Sequence, residues 1–165
     1  MLRPVTPADA EAFHAVANHA GQTRMTGTWR YPFTVEDVRT RWQPFFDAGP
    51  DGQVLMAIIE GDKLAGTTGL HAPEAGRAEL SYWIGEGFEG RGLATEAATA
   101  MCGFAFARRG LDELTARAFA DNEPSLRILR RLGFEVVSED ETHAADREGV
   151  WPSFAMRLTR EDWLS

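Results

Sequence analysis

Three scarcities bound what this 165-residue chain can be: one cysteine, one lysine and no long apolar run. A lone Cys102 excludes an intrachain disulfide and a cysteine-rich metal site. It lies in an alanine-rich segment, where a small buried hydrophobe is its expected role. Lys63 is the only lysine, so any cationic contact to a phosphate comes from an arginine fork. No apolar stretch approaches membrane-spanning length, and Met1-Leu2-Arg3-Pro4-Val5-Thr6 lacks the architecture of a signal peptide, which gives a cytoplasmic expectation with no membrane partner. Positive charge is also short. Seventeen Lys and Arg against 25 Asp and Glu leave a net charge of −8, which argues against nucleic-acid binding and favours cationic or amine substrates. The chain has no repeat, linker or low-complexity tract, so its length predicts one domain over residues 1–165.

The pattern that is present reads β-α-α-β-β-β-α-β-α-β-β. Leu2 to Thr6 forms a first strand, and Thr6-Pro7-Ala8-Asp9 a helix start with proline at the first helical position. Thr34-Val35-Glu36-Asp37 repeats the signal as a capping box. Strands over 53–60, 64–71 and 78–84 are joined by turns at Gly61-Asp62 and Glu74-Ala75-Gly76-Arg77. Leu93 to Arg108 is a helix expected to be buried on most sides. A strand over 114–120 follows, then a helix over 121–132 closed by Gly133, and a strand pair over 134–138 and 151–158 joined by a polar, acidic loop. One strand–helix–strand crossover among hairpins predicts an α/β (α+β) fold with a mixed, mostly antiparallel sheet flanked by helices.

Gly85-Glu86-Gly87-Phe88-Glu89-Gly90-Arg91-Gly92 lies between a strand and a helix, where free N–H groups and the helix dipole favour a phosphate. Gly85-x-Gly87-x-x-Gly90 formally matches the dinucleotide fingerprint. However, three hairpin-connected strands precede it, and the expected acid about 20 residues on is missing. No Gly-Lys-Ser/Thr follows, which rules out a Walker loop. The helix begins after Gly92, so the phosphate belongs at Gly90 to Ala94.

Glu89-Gly90-Arg91-Gly92-Leu93-Ala94 resembles the pyrophosphate signature of the GNAT superfamily of acyl-CoA-dependent N-acyltransferases, Gln/Arg-x-x-Gly-x-Gly/Ala. Glu89 departs from it, placing an acid where Gln or Arg is usual, tolerable if it points outward or pairs with Arg91. Asn122-Glu123-Pro124-Ser125 and the apolar helix ending at Gly133-Phe134 resemble the second signature of that superfamily. With Glu79-Leu80-Ser81-Tyr82-Trp83-Ile84, the chain is most similar to the ribosomal-protein alanine/serine N-acetyltransferase branch (RimJ/RimL type).

This resemblance implies a sheet splayed at the cofactor site and acetyl-CoA as co-substrate, with no metal. Tyr82, Trp83 and Ile84 would contact the pantetheine arm. Glu89, Gly90, Arg91, Gly92, Leu93, Ala94 and Thr95 would hold the diphosphate, and Asn122 and Ser125 would meet the arm near the thioester. Glu79 would deprotonate the amine, with His71 in reserve, and Ser125 would protonate the departing thiolate. General base catalysis of this kind contributes about 10²–10⁴-fold. Asn122 is equally a favoured helix N-cap, and Glu79 on a strand is equally a solvated acid or a partner of Arg77. His14, His19 and His143 read as surface residues. Helical spacing sets Arg127, Arg130 and Arg131 apart from the Ser125 face. Trp29, Tyr31, Phe33 and Trp42 either wall an acceptor pocket or pack the core.

The expected reaction is direct acetyl transfer to a primary amine, a protein N-terminus, by a monomer or homodimer. The alternatives are a small-molecule acceptor (polyamine, amino acid or aminoglycoside) and a non-catalytic acyl-CoA-binding module.

Overall fold

The computed structural model describes residues 1–165. Seven strands, β1 (Leu2–Pro4), β2 (Val54–Glu60), β3 (Lys63–Glu74), β4 (Arg77–Ile84), β5 (Glu113–Phe119), β6 (Glu135–His143) and β7 (Val150–Thr159), form one sheet in the order β1-β2-β3-β4-β5-β7-β6. Only β4 and β5 run parallel. Helices α1 (Ala10–Ala17), α2 (Ala20–Thr23) and α3 (Val35–Asp47) precede β2, and α4 (Leu93–Gly103), α5 (Glu123–Arg131) and α6 (Arg160–Leu164) follow β4, β5 and β7. The mixed, mostly antiparallel sheet expected from the sequence is present.

Two helix starts are chemically explicit. The N–H and hydroxyl of Thr34 both donate to Asp37, at 2.7 Å each, and the Asp37 N–H returns a bond to the Thr34 hydroxyl. Thr6 donates to Asp9 in the same way, opening a single 3₁₀ turn that runs into α1. Asp9 also binds Arg3. The guanidinium holds its carboxyl down at about 2, against the opposing effect of burial.

Alternation along β4 sends residues to two cores. Ala78, Leu80 and Tyr82 face α4 and α5, in a cluster with Met101, Leu126 and Leu129. Trp83 faces α1 and α3, packing with Phe13, Trp29 and Trp42. Two glycines are fixed by close approach. A Cβ on Gly66 would lie 2.0 Å from the Trp83 carbonyl oxygen, and one on Gly85 would lie 2.6 Å from Val16 of α1.

Three local expectations need correction. The acidic segment up to His143 is strand rather than loop, because Ser138 to His143 pair with β7 after a bulge. The helix after the glycine loop is exposed along one side and ends in a π turn, Phe104–Arg108, closed by Arg109 N–H to Phe104. His14 is half-buried rather than a surface residue, its Nε2 lying 2.8 Å from the Phe33 carbonyl. Cys102 is fully buried, as expected.

Candidate active site

The parallel pairing of β4 with β5 is confined to Arg77↔Glu113, Ala78↔Leu114 and Glu79↔Thr115. Beyond it the two strands part, since β5 continues along β7 while β4 continues along β3. The free edges of Leu80 to Ile84 and Ala116 to Phe119 therefore face a gap. Backbone groups in such a gap need partners, and a bound extended chain supplies them as an added strand would. The gap opens into a cleft of about 540 Å³ whose wall includes Glu79, Tyr82, Trp83, Asn122 and Ser125. Ile84 does not line it and packs toward Leu93 and Ala97 instead.

Glu79 and Ser125 approach the gap from opposite faces of the sheet. Glu79 is exposed and makes no ion pair with Arg77. Directly opposite it in the β3–β4 register stands His71, half-buried, bonded to the Ser81 hydroxyl and edge-on to Phe45. Burial lowers the His71 pKa, favouring neutral imidazole. On the other face, Asn122 caps α5 by accepting the Ser125 N–H at 3.3 Å. The Ser125 hydroxyl lies 2.9 Å from the Tyr82 hydroxyl. Burial pushes the Tyr82 phenol up to about 12, more than its bond to Ser125 pulls it down.

The residues from Glu89 to Thr95 lie outside this cleft, at the start of α4. Gly87, Gly90 and Gly92 all have φ between 73° and 82°, and nothing lies within 4 Å of where their Cβ atoms would be. The N–H groups from Gly90 to Thr95 donate to no protein acceptor, the first helical bond being Glu96 N–H to Gly92. Free donors and open space on a positive helix end suit a diphosphate. Glu89 is turned aside. Its carboxylate accepts from the Gly87 N–H at 2.7 Å and from Gln22 of α2 at 2.5 Å. Arg91 binds Glu60 at 2.6 Å rather than Glu89.

Of the aromatics considered from sequence, Trp29 and Trp42 both pack the core and line the cleft. Phe33 only packs, and Tyr31 is exposed outside the cleft. Arg41, Ser81 and Arg117 also line the wall and were not singled out from sequence. Ser81 is recoverable by alternation from Glu79 and Trp83, whereas the arginines carry no local signal. The least legible contributor is Arg147. Its side chain is 2% exposed and binds Asp121 at 2.8 Å. It also donates to the Arg24 carbonyl and lies over Phe119 and Trp151. It fastens the β6–β7 connection to the segment carrying Met25, which lines the cleft.

The sequence profile of the acetyltransferase (GNAT) domain matches residues 1–135. The chain belongs to the GNAT acetyltransferase family. It is 31% identical to the uncharacterized N-acetyltransferase YoaA of Bacillus subtilis over 140 residues, 82% of this chain and 78% of that one. With the uncharacterized N-acetyltransferase p20 of Bacillus licheniformis it shares 32% over 110 residues, 63% of this chain and 62% of the relative's length. Among solved structures, a spermidine N-acetyltransferase from Vibrio cholerae, in complex with CoA and spermine, superposes with a TM-score of 0.87 at 14% identity, covering 100% of this chain and 98% of the other. A ribosomal-protein-alanine acetyltransferase from Vibrio fischeri gives 0.84 at 17%, covering 98% and 93%. At such identities the likeness is one of fold. The GNAT sheet, parted beyond β4 residue Glu79, is the architecture expected from the two sequence signatures.

Proposed function

We propose that this GNAT chain is an acetyl-CoA-dependent N-acetyltransferase that acetylates a primary amine at a protein N-terminus by direct transfer. The observation that carries the reading is the parting of β4 from β5, with Glu79 on one face of the gap and the Ser125 hydroxyl on the other. Backbone from Tyr82 and Trp83 offers hydrogen bonds to a pantetheine arm, and the free N–H groups from Gly90 to Thr95 hold its diphosphate. Glu79 takes a proton from the incoming ammonium. As the C–N bond forms and the C–S bond breaks, Ser125 donates its proton toward the sulfur beside the protonated Tyr82 phenol, and the second proton shed by the nitrogen restores the serine hydroxyl. Holding both reactants in register supplies much of the acceleration in such a transfer.

The test joins a melting curve to a thiol-release assay. Acetyl-CoA should raise the melting temperature of the wild-type protein, and Gly92→Val should abolish the rise, because φ of +78° disfavours a β-branched residue. N-terminal peptides beginning with Ala or Ser should then release thiol faster than simple amines. Cys102 adds no background in the native protein, since burial leaves it inaccessible and pushes its thiol up to about 12. No thermal shift with the intact protein rejects the cofactor, and faster turnover of small amines moves the acceptor to that class.

A further inference from the structure

The cleft does not share the charge of the molecule around it. The chain carries −8, yet the fully charged side chains on the cleft wall are Glu79, Arg41 and Arg117. Cations outnumber acids where the acceptor must sit. Net charge alone favours cationic substrates, whereas the cleft wall offers both signs of charge.

The three charges are not equivalent. Arg117 is engaged, its guanidinium 2.7 Å from Asp140 and within reach of Thr142. Arg41 forms no ion pair, although its α3 neighbour Arg39 makes two. Its guanidinium lies 4.8 Å over the Trp29 ring. Asp37, one turn back, feels its charge, but the Asp37 carboxylate is committed to the Thr34 cap. Glu79 likewise has no ionic partner. One unpaired acid and one unpaired guanidinium thus line the same cleft.

We propose that the acceptor carries a carboxylate close to its reactive amine. The amine meets Glu79 and the carboxylate meets Arg41. This rests on the transferase reading above and deepens it. Two sources share the chemistry: a free α-amino acid, and a peptide with Asp or Glu just after its N-terminal residue. A polyamine brings only cations, and with Arg117 paired to Asp140 it leaves the free guanidinium of Arg41 without a partner of opposite charge.

The experiment compares kcat/KM, with acetyl-CoA saturating, for tryptophan against tryptamine, for the C-terminally amidated peptides Ala-Asp-Ala and Ala-Asn-Ala, and for spermidine. The carboxylate-bearing member of at least one pair should lead by about tenfold or more, the scale of one charge-assisted hydrogen bond. The winning pair identifies the source. Arg41→Gln should erase the lead, Arg41→Lys should keep most of it, and Arg41→Glu should invert it in favour of spermidine. Turnover that prefers spermidine or the neutral partners, or a lead that survives Arg41→Gln, overturns this inference alone. If none of these acceptors yields thiol release although acetyl-CoA raises the melting temperature, the transferase reading falls and this inference with it.

Discussion

The hydroxyls of Tyr82 and Ser125 lie 2.9 Å apart, joining strand β4 to the first turn of α5 at the edge of the gap. The phenol is a proton-holding neighbour, pushed up to about 12 by burial, so the Ser125 hydroxyl keeps a partner that does not ionise in any ordinary assay buffer.

Replacing Ser125 by Ala should therefore lower kcat by about 10²-fold, within the range for a lost general acid. The KM for acetyl-CoA should change only a few-fold. Tyr82→Phe should cost about five- to tenfold, the worth of one supporting hydrogen bond. Steady-state kinetics separate the two roles. A loss confined to acetyl-CoA KM would make Ser125 a binding residue only.

Glu79 and His71 face each other across β3 and β4, and either has the chemistry of a base. Glu79→Gln should reduce kcat by about 10²-fold or more, while His71→Gln should leave most of it. The histidine has its own signature in stability. Burial lowers its folded pKa below 6.5, so below pH 6.5 the unfolded chain binds the extra proton and stability rises with pH through that window. Urea unfolding at pH 5 and pH 7 should show a steeper rise for wild type than for His71→Gln.

Asp9 predicts the opposite end of the pH scale. Its carboxyl sits at about 2, lowered first by Arg3, against an ordinary 3.8. A depressed acid stabilises the fold above the ordinary value and loses that contribution as pH falls toward 2. Arg3 is 39% exposed, so solvent screening keeps the contribution small. Asp9→Asn should cost about 1 kcal/mol at pH 7, and urea midpoints of the two proteins should converge near pH 2.

Arg147 ties the β6–β7 connection to the segment after α2. Arg147→Met should destabilise the protein by about 2–3 kcal/mol, because several charge-assisted bonds go at once while Asp121, 52% exposed, is left to water. The acceptor KM should rise more than the acetyl-CoA thermal shift falls, since the guanidinium fastens the wall carrying Met25 and not the glycine loop. Calorimetry and acceptor titration check both parts.

What could be seen without coordinates was whatever local rules decide. Period-2 alternation over 78–84 separates Leu80 and Tyr82 from Glu79 and Trp83, and the Thr34 and Asn122 caps follow from neighbours three residues away. Relations across the chain were hidden. Gly85 looks like part of a nucleotide fingerprint, yet its observed constraint is the side chain of Val16. Arg41 is one arginine among many until α3 lays it over Trp29 beside the cleft. Arg147 sits in a polar stretch that composition marks as surface, and it is buried only because Phe119, Asp121 and Trp151 converge on it.

The carboxylate of Glu89, bonded at once to Gln22 and to Gly87, has a consequence for how the two substrates bind. Gln22 lies in the short helix that leads directly into the acceptor wall, so the diphosphate loop and that wall are held by a common bolt. A displacement of one can reach the other through this bond, and such coupling is reciprocal in free energy. The two substrates should not bind as strangers: the affinity of the amine is a function of whether the glycine loop is filled.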